Sequence, residues 1–109
     1  MRLDLSALQP GAYAVLRDRA TWGLMKKVQA NLNAESDTVK DPVQFADDML
    51  QGLVTEWSVK DDDGMLVPLP KLATPDQIDN IAAEIIGHVL QAARKVLSSG
   101  APDPKTDTP

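Results

Sequence analysis

The sequence predicts a mainly helical α+β domain: a small N-terminal β-hairpin, about three helices and a disordered C-terminal tail. Three observations lead there. Apolar residues recur at three- and four-residue steps over most of residues 21–97, short period-two alternation is confined to the first 18 residues, and only four residues are aromatic (Tyr13, Trp22, Phe45, Trp57). A core with so few aromatics is filled by aliphatics and alanine, which favours packed helices over a β-sandwich. With 109 residues, the chain supports one domain, expected over residues 1–97, burying about 60–65% of its unfolded surface.

The elements follow in order. Leu3 and Leu5 flank Asp4, and Tyr13 and Val15 precede Arg17-Asp18, on either side of Gln9-Pro10-Gly11; alternation around a Pro-Gly turn predicts the hairpin. Leu24, Met25, Val28 and Leu32 share one helical face, so a first helix is expected over Thr21 to Leu32. Residues 33–41 lack periodicity and are rich in polar turn formers, which predicts a loop. Asp41-Pro42 is a helix start, because aspartate caps free amides and proline is fixed at a helical φ. From there Phe45 or Ala46, Met49, Leu50, Leu53, Val54 and Trp57 form an unbroken stripe, predicting a helix of roughly 16–18 residues, about 25 Å long, ended by Asp61-Asp62-Asp63-Gly64.

Pro68 and Pro70 forbid helix and predict an extended strap with Leu66 and Leu69 laid across the helices. Thr74-Pro75-Asp76-Gln77 has a capping threonine, proline in the first turn and glutamine three residues after the cap, which starts the last helix. Ile78, Ile81, Ala82, Ile85, Val89, Ala92, Ala93 and Val96 are its expected buried stripe. Ile86, Leu90 and Leu97 widen that face, so the helix should touch more than one neighbour. Residues 98–109, rich in Pro, Asp and Ser, carry too little apolar surface to offset the entropy of ordering and are expected to be disordered.

Composition narrows function. The absence of cysteine removes disulfides, thiolate metal sites and thiol catalysis. No apolar run approaches the roughly 18–20 residues that span a bilayer, so no membrane role and a cytoplasmic location are expected. Residues 1–40 carry six basic groups against four acidic ones, a net of +2. Residues 41–109 carry five against twelve, a net of −7. Nucleic-acid binding is disfavoured, because phosphate contacts need a basic face and only the short Arg17 to Lys27 stretch offers one.

No residue set assembles a catalytic or metal site. Counted from Asp61, an EF-hand loop would have Met65 at its third acidic ligand position and Leu72 at its twelfth, so the triplet reads as a solvated turn. His88, the single histidine, sits beside the apolar stripe with Glu84 four residues before it, an arrangement that supports a helix rather than proton transfer. Trp57 closes an apolar stripe and reads as core. Trp22 stands at a helix start beside Lys26 and Lys27 and reads as an interface residue, as do Ile86 and Leu90 on the widened face. Gly23, Gly52 and Gly87 each cost a helix about 1 kcal/mol relative to alanine, explained either by close helix contact or by deliberate looseness.

The order of elements resembles the tail assembly chaperones of long-tailed phages and prophages, particularly the small proteins of actinobacterial phages. The resemblance rests on Leu16-Arg17-Asp18 after Tyr13-Ala14-Val15, on Val54-Thr55-Glu56-Trp57-Ser58, and on Pro68-Leu69-Pro70 before a capped last helix. It implies a non-enzymatic assembly factor of the host cytoplasm, without cofactors, that holds tape-measure and tail-tube subunits and is absent from the finished particle; self-association is also compatible with it. Two alternatives stay open: a structural virion component such as a connector, neck or tail subunit, and a small acidic helical adaptor outside any phage.

Overall fold

The computed structural model describes residues 1–33, 35–36 and 38–100. It is an α+β domain in which three antiparallel strands carry a layer of helices. The strands are β1 (Arg2–Asp4), β2 (Tyr13–Leu16) and β3 (Val54–Ser58), in the order β1-β2-β3. The helices are α1 (Trp22–Ala30), α2 (Pro42–Leu53), α3 (Pro75–Asp79) and α4 (Ala83–Gly100). One apolar cluster joins the layers, with Leu5, Ala14, Leu16, Val54, Trp57 and Val59 from the sheet side meeting Leu24, Val28, Met49, Leu53, Ile85 and Val89 from the helices.

The N-terminal hairpin forms as expected, pairing Arg2 with Val15 and Asp4 with Tyr13. Its buried face differs from the alternation that signalled it. Ala14 and Leu16 point into the core, while Tyr13 and Val15 are half-buried on the outer face. Both faces of β2 are apolar, and the phenol decides between them. Tyr13 keeps its hydroxyl in reach of Glu56, donating to Oε2 at 2.8 Å, and Arg2 lies 4.1 Å from its ring centroid.

The expected long helix from Asp41 is cut short. Asp41 caps α2 through hydrogen bonds from the Val43 and Gln44 amides, but the helix stops at Leu53, and Val54–Ser58 is a third strand paired with β2. The register shifts between Val15 and Leu16, which face Glu56 and Val54, so Thr55 is the extra residue of a β-bulge. The bulge puts Val54 and Trp57 on one buried face at a three-residue spacing that imitates a helical stripe. β-Branched and aromatic residues favour the strand, and the Thr55 hydroxyl donates to the Val15 carbonyl at 3.2 Å.

The acidic triplet therefore closes a turn after a strand. Asp61 Oδ1 accepts from the Asp63 and Met65 amides, each at 2.9 Å, and Gly64 takes φ +80°, a conformation glycine adopts without strain. In the strap Leu66 is exposed, contrary to expectation, whereas Val67 is buried and Leu69 half-buried. Strand alternation continues past the turn, with the Val67 amide donating to the Val59 carbonyl at 2.9 Å. The Trp57 indole N–H ties the strap down, lying 3.1 Å from the Val67 carbonyl and 2.9 Å from that of Pro68.

The last helix is two helices. Thr74 and Gln77 form the reciprocal cap expected for α3, but the chain breaks at Asn80. In a continuous helix the Asn80 carbonyl would accept from Glu84; here it accepts from the Asp62 amide at 3.0 Å, and the Asn80 side chain donates to Asp63 at 3.0 Å. The acidic turn thus diverts the helical ladder. Beyond it, Ile85, Val89, Ala92, Ala93 and Val96 are buried as expected. Helix α4 also runs three residues past the expected boundary at Leu97, through Gly100; Ser98 and Ser99 are compatible with helix, and Gly100 is the first residue biased against it. The remainder of the expected disordered tail, 101–109, lies outside the described residues.

Candidate functional site

Helix α2 is the centre of the helical layer, contacting α1 on one side and α4 on the other. The two sides differ in chemistry. Toward α1, Lys27, Asn31, Asp41, Gln44, Asp48 and Gln51 line an open polar cleft. Asp48 is buried there at 7% exposure, its carboxylate accepting from Gln44 Nε2 at 2.9 Å. Deeper in the same seam Gly52 permits close contact: a Cβ at this position would lie 2.9 Å from Leu24 Cδ1.

Toward α3 and α4 the surface is apolar. A groove of about 450 Å³ runs between the helices, with Val43, Ala46 and Leu50 on the α2 wall and Ile86, Gly87 and Leu90 on the α4 wall. Ile78 and Ile81 also line it. Val43, at 72% exposure, is the most open apolar side chain in it, whereas Ile86 and Leu90 are half-buried and rest on the core. Gly87 has open space where a Cβ would project, so no intramolecular contact requires its small size.

Asp47 and Asp79 are the charged residues lining this groove. Desolvation holds the Asp47 carboxyl above the usual carboxylate range, and the neighbouring charges of Asp79, Asp48 and Asp41 push it the same way. The groove thus combines apolar walls with two acidic lining residues, Asp47 and Asp79.

Of the residues singled out from the sequence, Ile86 and Leu90 come together here. Trp22 does not join them. It begins α1 across α2 from the groove, 68% exposed, with the Lys26 ammonium 6.0 Å from its ring centroid. Sequence reasoning placed Ala46 and Leu50 in the buried stripe of α2 and did not assign them to a binding surface, and it missed Val43 and Asp47, which sit three residues before Ala46 and Leu50 respectively, on the same side of the helix. It also missed Asp79, the last residue of α3, which lines the groove.

The other singled-out groups are engaged elsewhere. His88 Nδ1 lies 2.9 Å from the Glu84 carbonyl on exposed α4 surface, and Trp57 is core at 9% exposure. Among the described residues no three His, Asp or Glu side chains are grouped to hold a metal ion, and no helix is long and apolar enough to cross a membrane. Compared with protein-family models, curated proteins and solved structures, the chain matches none.

Proposed function

We propose that this chain is a non-enzymatic protein-binding module acting in phage tail assembly, a cytoplasmic chaperone that holds tape-measure and tail-tube subunits before they polymerise. The observation that carries the binding role is the α2–α4 groove, where exposed Val43 and half-buried Ile86 and Leu90 lie over a floor that includes buried Leu50. A groove of this size buries too little surface for a permanent complex and suits a partner that is later released. Trp22 supplies a second apolar contact on the far side of α2, within reach of a large partner but not of a short segment lying in the groove.

The tail-assembly setting rests on the resemblance in residues 13–18, 54–58 and 68–70. These segments form one structural unit. β2 pairs with β3, and Trp57 of β3 holds the strap through its indole N–H.

The test is co-purification with the tape-measure or tail-tube protein encoded beside this chain, followed by mass spectrometry of mature particles. Binding that Val43→Ser and Trp22→Ala each weaken at nearly unchanged Tm, both side chains being largely exposed, with no copy in finished particles, is the expected result; Leu90→Ser would lower stability as well, because Leu90 rests on the core. Stoichiometric presence in particles would instead make the chain a structural component, and failure to bind either protein would leave only a general adaptor role.

A further inference from the structure

We infer that the segment accepted by the α2–α4 groove is a cationic amphipathic helix, which lays apolar side chains against Val43, Ile86 and Leu90 and sets Lys or Arg over Asp47 and Asp79. This rests on the groove being the docking surface proposed above and specifies its occupant.

Three observations carry it. The walls are themselves two helices, and the shape that fits a channel between two helices is a third, seated by ridges in grooves. From Pro42 to Leu50 the α2 wall is about 12 Å long at 1.5 Å per residue, enough for two turns of a partner. Charge selects among such helices. Both charged lining residues are acidic, and the carboxyl of Asp47 is desolvated and crowded by Asp79, Asp48 and Asp41. An incoming cation relieves that repulsion, whereas an anionic or merely apolar helix increases the desolvation or leaves the repulsion in place.

Gly87 is the third observation. It weakens α4 locally while no atom of the described residues occupies the space above it. A gap in the α4 wall at that point lets a partner approach the α4 backbone more closely than any side chain would allow. The segment 101–109 of this chain is a poor occupant, because its apolar content is limited to Ala101 and prolines.

The experiment uses the full chain and synthetic peptides of roughly 16 residues, long enough to hold a helix. One carries Leu at i, i+3, i+4 and i+7 with Lys on the flanks; the other is identical with Glu replacing Lys. Fluorescence anisotropy is expected to give at least tenfold tighter binding of the Lys peptide, weakening as salt is raised. Asp47→Asn with Asp79→Asn should erase that preference. Gly87→Ala should weaken the Lys peptide while raising Tm by roughly 2–6 °C, a combination that a purely structural glycine would not produce. Equal binding of the two peptides overturns the charge inference and leaves the groove as a docking surface. Binding of neither overturns both readings.

Discussion

At the scale of single residues the packing turns on a few atoms. Gly52 and Gly87 are both helix-interior glycines, yet their surroundings predict opposite responses to alanine. A Cβ at Gly52 meets the Leu24 side chain at 2.9–3.2 Å, so Gly52→Ala must displace a buried leucine and is expected to cost about 1–3 kcal/mol. Gly87→Ala meets open space and should stabilise by about 0.5–1 kcal/mol, with urea unfolding reading both. Trp57→Phe stays aromatic but is smaller than the indole and leaves the Val67 and Pro68 carbonyls without their N–H donor; a loss of about 1–3 kcal/mol or more is expected from the lost donor and the lost packing, seen as a lower urea midpoint at unchanged m. Asp47 contributes a pH dependence. Its folded-state pKa is raised, first by desolvation and then by Asp79, Asp48 and Asp41, so the folded state holds the proton more tightly than the unfolded one. The associated stability is fully present below the unfolded carboxylate pKa and is lost as pH rises through the folded value. Asp47→Asn should therefore be more stable than the parent at neutral pH, by a margin that shrinks on acidification. Equal midpoints at neutral pH would mean that the repulsion around Asp47 has no energetic weight.

At the scale of elements, α2 and α4 are the structural centre. Leu53 is fully buried and Ile85 nearly so, and replacing either with aspartate buries an unpaired charge at a cost of several kcal/mol, comparable with the whole stability of a domain this size. Cooperative thermal unfolding by circular dichroism should disappear in both variants; a parent-like melt in either would show that its helix does not pack as described. Caps at Asp41 and Thr74, the hairpin, and the buried stripe of α4 were legible in the sequence, because capping chemistry and periodicity are local signals. The third strand was not. A bulge at Thr55 gives Val54 and Trp57 the spacing of a helix, and its cause, pairing with β2 some 40 residues away, is not a local property. Cross-strand nuclear Overhauser effects between Ala14 and Trp57 should be present, and sequential helical contacts through Val54–Ser58 would refute the strand. The break at Asn80 was hidden for the same reason, since it depends on Asp62 and Asp63 capturing the Asn80 groups. Half of the groove followed from sequence through Ile86 and Leu90. Its other half required knowing which side of α2 faces α4.

At the scale of the molecule, the sheet and helices present three chemically distinct regions: an outer sheet face where Arg2, Tyr13 and Glu56 lie beside Val15, a polar cleft between α1 and α2, and an apolar groove between α2 and α4. Of these three regions the last is the most apolar, and it lies in the half of the chain that carries the net negative charge; Trp22, Met65, Leu66 and Leu72 are exposed apolar side chains outside it. The central claim is that partners dock in this groove. Its most direct test is heteronuclear NMR of the labelled chain titrated with the Lys-flanked helical peptide. Perturbed resonances should concentrate at Val43, Ala46, Asp47, Leu50, Ile86, Gly87 and Leu90, while Tyr13, Val15 and Glu56 on the outer sheet face stay in place; perturbations centred on that sheet face or on the α1–α2 cleft would contradict it.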